Sequence, residues 1–383
     1  MSVGASASGH LVHGMGTALE APTWPAITAP EAAAILARFA GVGRLERLLW
    51  HSPRPFSAAT LVQTDCGQFL LKRHHRDVRT PDALAEEQAF MAHLRSAGVP
   101  VPDVIVTSDG LGAVSHGGWT YELQRKACGI DLYQDRPSWT PYLTPAHAQE
   151  AGAALGRLHR AAQGHAAPER DPHQLVASLT ILSAHDPLTA AEAYVAARPP
   201  LAGFLSDQPW RDELARLLAA FGEGLAARLA SQPPLWTHND WHPSNLLWAA
   251  DGTVSAVFDF GLADRTCAVH DLATAIERAA IPWLEIAVGD ASAAPDSDAA
   301  LALLAGYQRE MPLDQGAIDL LIDLLPLVHV EFALSEVDYF AGIVGDRSQA
   351  EIAWQDYAIG HADWFSSAMG QAFLLELKRG ASA

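Results

Sequence analysis

Apolar and polar positions change period twice along the chain, and the changes mark out its elements. From Arg44 to Arg73 short β-like runs follow one another at Leu45–His51, Ala58–Gln63 and Gln68–Lys72, with Asp65-Cys66-Gly67 as a turn. Ala29 to about Ala40 precedes them with Ile35, Leu36 and Phe39 on one helical face, and Gly41-Val42-Gly43 ends that helix. Thr80-Pro81-Asp82 opens another helix to about Ala97, with Thr80 as cap and Pro81 in the first turn. Val104–Thr107 and Trp119–Leu123 complete a five-stranded sheet around the turn at Ser108-Asp109-Gly110.

Beyond residue 129 the pattern is mostly helical. Pro145–Ala162 carries Ala148, Leu155 and Leu158 on one face. Shorter helices are expected at Leu175–Ser183 and Ala190–Ala197, a long one at Arg211–Leu229, and a polar one at Leu324–Phe340. One hairpin interrupts them: Leu246–Trp248 and Val254–Phe258 flank the turn Asp251-Gly252. Met1 to Thr28, rich in Ser, Gly, Ala and Pro without sustained periodicity, reads as a disordered or loosely held arm.

That hairpin carries the candidate chemistry. The segment Thr237 to Trp248 reads T-H-N-D-W-H-P-S-N-L-L-W, and S-A-V-F-D-F-G follows at Ser255. Asp240 and Asn245 stand before the first strand and Asp259 after the second, so three polar side chains converge although about twenty residues separate them. One carboxylate to orient a hydroxyl and accept its proton, with an amide and a second carboxylate for Mg²⁺, is what phosphoryl transfer needs. Two other matches fail on context. Gly41-Val42-Gly43 follows a helix and lacks a third glycine, so it is no dinucleotide loop. His75-Arg76-Asp77 has Asp82, not Asn, five residues beyond its acid.

H-N-D-W-H-P-S-N-L-L followed by F-D-F-G resembles the catalytic and metal-binding segments of the aminoglycoside phosphotransferase-like kinases, which share the protein-kinase fold. The resemblance implies an α+β, two-lobed fold, with a five-stranded antiparallel sheet and a helix in the small lobe and a mainly helical large lobe. It divides the chain into the arm at 1–28, a nucleotide-binding lobe at 29–124, a hinge at 125–129 and a helical catalytic and acceptor-binding lobe at 130–383. Asp240 falls on the catalytic base, Asn245 and Asp259 on the Mg²⁺ ligands, and His238 on a residue bracing the catalytic loop. Lys72, ending F-L-L-K, falls on the lysine that contacts ATP, and Glu87, on the apolar stripe of its helix with Leu84, Met91 and Leu94, is its natural partner. Asp271 of His270-Asp271-Leu272-Ala273 is expected to cap a helix and steady the catalytic loop.

The chain departs from the protein-kinase pattern in a phosphate loop, Ser52 to Ser57, that holds no glycine, so Ser57 and backbone amides are the candidates there. The hinge offers Gln124 and Lys126 to the nucleotide where the family often has an acid. In the Leu324–Phe340 helix, His329, Phe332, Glu336 and Tyr339 share one face and Glu331, Ser335 and Asp338 another. His242, Glu331, Glu336 and Asp338 are the candidate acceptor contacts, and carboxylates there suit an amine-bearing alcohol such as homoserine, choline or ethanolamine, or an aminoglycoside or other amino sugar. The expected activity is ATP- and Mg²⁺-dependent phosphorylation of a small-molecule hydroxyl. The rivals are a non-catalytic or regulatory nucleotide-binding protein on the same fold, and a protein kinase, against which the His-Pro in the loop and the lack of Ala-Pro-Glu after Asp-Phe-Gly argue.

Composition narrows this further. A formal charge of −19 argues against a nucleic-acid groove, which needs a basic stripe. No run nears the roughly 18 apolar residues of a membrane span, and no basic-then-apolar leader opens the chain, so a cytoplasmic protein is expected. Cys66, Cys128 and Cys267 lie far apart without metal spacing and are expected to be reduced. Oligomeric state leaves no trace in the sequence.

Overall fold

Phe69 and Leu71 are wholly buried and Arg73 nearly so, while Gln68, Leu70 and Lys72 between them are only half-buried; this period of two builds the sheet of the first unit. The computed structural model describes residues 10–16, 18–134, 136–171, 173–290 and 293–381. They divide into two compact units, residues 1–91 with 101–128, and residues 92–100 with 129–383. Among the described residues no helix is long and apolar enough to cross a membrane.

The first unit holds a five-stranded antiparallel sheet in the order Leu45–His51, Ala58–Thr64, Gly67–His75, Trp119–Arg125, Ala113–His116. The helix Ala29–Leu36 covers one face, capped reciprocally by Thr28 and Glu31. Glu31 also receives Arg73 Nη1 at 2.6 Å and the Tyr121 hydroxyl at 2.8 Å, which ties the helix to two strands. The fifth strand is Ala113–His116; Val104 and Thr107, expected to supply it, make isolated bridges to Gln124 and Phe39, while Ile105 and Asp103 share single backbone bonds with Leu123 and Arg125. The strand carrying Lys72 runs on to His75, so Lys72 lies inside it. Residues 10–28, expected to be loose, contain a small antiparallel pair, Val12–His13 with Leu19–Glu20, and bury Val12, Met15 and Ile27. The His13 amide donates to the Pro53 carbonyl and Ile27 joins the core of the sheet, contacts that no periodicity announces. Residues 1–9 and Thr17 of the expected arm lie outside the described residues.

In the second unit Pro145–Ala162 packs along Ser297–Glu310 through small residues. A Cβ added at Gly152 would overlap the Leu303 carbonyl, and one at Gly306 the Gln149 carbonyl, so the backbones meet directly. Leu246–Trp248 pairs with Val254–Val257, and Pro234–Thr237 with Asp264–Cys267. The two ladders leave residues 238–245 and 258–263 as adjacent loops.

Three expected helices come out differently. Leu175–Ser183 is irregular, held by side chains of a later helix instead of by its own ladder. Arg211–Leu229 breaks into Trp210–Phe221 and Leu225–Ala230 because Gly222-Glu223-Gly224 intervenes, with Gly224 at φ 67°. Leu324–Phe340 begins in a turn, its helix being Val330–Tyr339, continued by a π-helical turn at Phe340–Val344.

Gly306→Ala is expected to lower unfolding free energy by about 1–3 kcal/mol, since neither helix can yield without moving backbone. Urea unfolding compared with Gly203→Ala, where a Cβ meets open space, checks this.

Candidate active site

The catalytic loop is shaped by backbone that must be held in place. Asn239 takes φ 60°, a left-handed conformation that Asn tolerates best after Gly. Its amide and that of His238 donate to the two oxygens of Asp271 at 2.8 Å each. Asp271 also accepts His159 Nε2 at 2.9 Å, and His159 Nδ1 meets the Tyr307 hydroxyl at 2.9 Å. Burial alone would raise the Asp271 carboxyl; the hydrogen bond and charge of His159 and the His238 side overcome this and hold it below the usual range. Cys267, not Asp271, occupies the cap of the helix Ala268–Ala280, so Asp271 steadies the loop from inside the first turns.

His238 links the two loops. Its Nδ1 accepts the Asp240 amide at 3.2 Å, which leaves the proton on Nε2 to donate to the Phe258 carbonyl at 3.0 Å, one residue before Asp259. The Phe258 amide in turn donates to the Asn245 carbonyl at 3.1 Å. Asp259 itself sits at φ 60°, a conformation that a non-glycine residue keeps only when its surroundings impose it.

Asp240 has both carboxylate oxygens engaged. Asn245 Nδ2 donates to Oδ2 and to the Asp240 carbonyl, each at 2.9 Å, while Oδ1 forms an ion pair with Arg278 and lies 3.5 Å from His242 Nε2. Burial pushes the Asp240 carboxyl up, but His242, Arg278 and His238 together hold it well below the usual carboxylate range. His242 is buried against the acid, with Ser244 Oγ at 3.2 Å from its Nδ1, so it faces Asp240 instead of opening toward an acceptor.

With its Nδ2 on Asp240, Asn245 would hold a cation through its amide oxygen, and Asp259 on the neighbouring loop would add a carboxylate. Two hard oxygen donors fit Mg²⁺ and give no basis for a zinc cage at this point.

The acceptor candidates separate. Glu331 accepts Ser178 Oγ, the Thr180 amide and hydroxyl at 2.8 and 2.7 Å, and the Ile181 amide at 3.0 Å. Asp338 accepts Gln174 Nε2 at 2.9 Å and the Leu201 amide at 3.3 Å, and Ser335 Oγ accepts the Leu175 amide at 2.8 Å. That face of the helix braces the irregular 174–181 segment, so the expectation that Glu331 and Asp338 meet the acceptor is corrected: every carboxylate oxygen of the two already accepts a bond from that segment or from Leu201. Glu336, on the other face, is fully buried and neither oxygen has a hydrogen-bond partner. Burial lifts it to about 8, with Asp240 and Glu277 adding to the rise and Arg278 opposing it. Phe332 and Trp139 lie against the Arg278 guanidinium at 4.9 and 5.3 Å.

In the first unit Lys72 is registered directly across from Glu122. Burial and the Lys72 charge lower the His74 imidazole against the pull of Glu122, whose Oε1 is 3.2 Å away, while the Glu122 carboxyl, despite its burial, is held at about 2 by His74 and Lys72. Glu87 is buried at 2% exposure, and Ser57 is half-buried in the loop before Ala58–Thr64. Gln124 is buried with Nε2 on Glu122 at 3.3 Å, and the amides of Arg125 and Lys126 already donate to Asp103 and Gln68. Gln124 Nε2 and the Lys126 backbone amide are therefore engaged within the first unit.

Sequence reasoning missed Arg278 and Glu122. Arg278 stands seven residues after Asp271, two helical turns along the same face, and that spacing was its only signal.

Asp264 secures the loop after Asp259. It accepts the amides of Arg170 and Arg265 at 2.8 and 2.7 Å, and Arg170 Nη1 donates to the Gly261 and Ala263 carbonyls at 3.1 Å each. Burial raises its carboxyl to about 6 from an ordinary 3.8, against the pull of those amides and of Arg170. The folded state therefore keeps a proton over that interval which the unfolded chain has released, so the contribution falls as pH rises. Urea midpoints measured from pH 4 to 7 are expected to show the parent losing stability relative to Asp264→Asn between pH 3.8 and about 6 and holding a constant difference above. A difference that widens in the parent's favour with rising pH would contradict this.

The chain matches the profile described as Phosphotransferase enzyme family over residues 55–313. It is 26% identical over 259 residues to a homoserine kinase of Caulobacter sp. (strain K31), covering 68% of this chain and 70% of that protein. A homoserine kinase of Gluconacetobacter diazotrophicus is 27% identical over 260 residues, 66% of this chain and 68% of the relative. Among solved structures, a microcompartment-associated aminopropanol kinase superposes with a TM-score of 0.58 at 20% identity, covering 90% of this chain and 99% of that one. An amicoumacin kinase superposes with a TM-score of 0.56 at 13% identity, covering 91% and 93%. These likenesses show the α+β, protein-kinase-like fold.

Proposed function

Since the chain belongs to the phosphotransferase enzyme family and is a phosphotransferase acting on an alcohol, we propose that it transfers the γ-phosphoryl group of ATP, with Mg²⁺, to the hydroxyl of a small amine-bearing molecule in the cytoplasm. The observation that carries this reading is the state of Asp240. It is ionised, oriented by Asn245 and Arg278, and tied through His238 to the residue before Asp259.

A carboxylate held so far down is a poor base in the ground state. It accepts the hydrogen bond of the acceptor hydroxyl, aligns it, and takes the proton only as the oxygen loses basicity in a loose transition state. Mg²⁺, held by Asn245 and Asp259, would neutralise charge on the phosphates. Lys72, registered across from Glu122, is assigned to the α- and β-phosphates, with Glu87 proposed as its carboxylate partner and Ser57 in the phosphate loop.

For the acceptor, Arg278 and Glu336 offer one cation and one carboxylate with unmet hydrogen bonds in the same buried neighbourhood. An ammonium group suits Glu336, and a carboxylate on the same molecule suits Arg278, which then shares its donors between acceptor and Asp240. Homoserine carries both groups, and it is the substrate named for the relatives above; aminopropanol carries only the amine.

ADP release with Mg²⁺ over homoserine, 1-amino-2-propanol, choline, ethanolamine and an aminoglycoside tests the reading. Homoserine is expected to give the highest kcat/KM, Asp240→Asn to lower kcat by about a hundredfold or more, and Arg278→Ala to raise KM for homoserine more than for aminopropanol. Equal turnover in Asp240→Asn would remove Asp240 as the base, and no acceptor-dependent ADP release from any alcohol would overturn the proposal.

A further inference from the structure

Three side chains that phosphoryl transfer leaves without a task meet inside the second unit. Glu277 precedes Arg278, His329 stands just before the Val330–Tyr339 helix, and His361 opens the helix His361–Trp364. Each offers one ligating atom, and the three atoms lie within 4.8 Å of one another. All three residues are buried, at 1%, 4% and 6% exposure. His361 Nδ1 is 2.9 Å from Glu277 Oε1, and His329 Nδ1 is 3.8 Å from Glu277 Oε2.

Their hydrogen bonding does not close. Glu277 Oε2 and His329 Nε2 have no hydrogen-bond partner, nor has either oxygen of Glu336, whose Oε2 lies 3.7 Å from His329 Nε2. Unmet polar groups at this depth are destabilising, the more so when charged. Arg278, the adjacent cation, is committed to Asp240. Beside them lies a cavity of about 10 Å³ lined by Glu277, His329, His270, Thr274 and Asn239 among others. That is room for one water-sized occupant.

We propose that Glu277, His329 and His361 bind a divalent transition-metal ion, Zn²⁺ by the character of the ligands, with a water from the adjoining cavity as fourth ligand. Two imidazoles and one carboxylate are a zinc set, whereas the oxygen-only pair Asn245 and Asp259 is not, so the two sites select different metals. The ion replaces the proton shared between His361 Nδ1 and Glu277 Oε1. His329 binds through Nδ1 and turns its Nε2–H onto Glu336 Oε2, the outer carboxylate that metal-bound histidines commonly have. Glu336 Oε1 is left for the acceptor ammonium. Bonds of about 2.0–2.2 Å require the ligands to converge, which side-chain rotation of Glu277 and His329 supplies. The His361 ring is already fixed, stacked on Trp283 at 3.7 Å and 8°. Bound there, the ion pins the helix that carries Asp271 and Arg278 to the C-terminal helices.

Chelator-stripped, full-length protein titrated with Zn²⁺ against a chromophoric chelator is expected to bind one equivalent. The Cys66→Ser/Cys128→Ser variant, which removes the two exposed thiols, is expected to keep it. His361→Ala and Glu277→Gln are expected to lose it, and Glu336→Gln to weaken it about ten- to a hundredfold. Co²⁺ added to the parent is expected to give the visible bands of a tetrahedral nitrogen–oxygen site, a readout that needs no variant to fold. No bound equivalent, unchanged binding in both ligand variants, or octahedral Co²⁺ bands would overturn the proposal. So would a rise in melting temperature with a small amine but none with Zn²⁺, which would make the cluster an ammonium pocket. Mg²⁺-dependent ADP release is scored separately, so its failure bears on phosphoryl transfer and leaves the zinc result standing.

Discussion

A single buried carboxylate fixes the geometry on which this site depends. Asp271 accepts two consecutive amides of the catalytic loop and one imidazole from Pro145–Ala162, so loop, helix and neighbouring helix hold a common position. The backbone amides of His238 and Asn239 are both satisfied by this carboxylate, and leaving them unmet would be costly. Once they are anchored, the left-handed turn at Asn239 delivers Asp240 to Arg278, two turns farther along the helix that carries Asp271.

The same helix brings a dense set of charges into one region. Asp240, Glu277, Arg278 and Glu336 are all largely buried, with Arg278 and His242 beside Asp240 and His361 beside Glu277. Burial raises the Glu336 carboxyl to about 8, so a cationic ligand placed beside it would favour its ionised form.

Some polar residues near this region do the opposite work. Glu331, Ser335 and Asp338 look like ligand contacts on a helical wheel, yet they substitute for the missing backbone ladder of residues 174–181. A carboxylate bound to backbone amides and a carboxylate aimed at a ligand carry the same sequence signal, and only the partner distinguishes them.

The short-range order of this protein could be read directly. Alternation at Gln68–Lys72, the turn at Asp251-Gly252 and the spacing from Asp240 to Asn245 to Asp259 depend on neighbours a few residues apart, and the strands, hairpin and catalytic loop followed from them. The order of the five strands and the packing of Ile27 into the core of the sheet did not, because each depends on contacts across long stretches of chain, whereas the break at Gly224 had a local signal in Gly222-Glu223-Gly224. Tertiary structure alone decided that Arg278 meets Asp240 across 38 residues. It alone brought together Glu277, His329 and His361, the first and last separated by 84 positions. Local spacing sets which face of its own helix a residue takes; which distant face it meets is settled by packing, where burial without a partner is the penalty that selects the pairing.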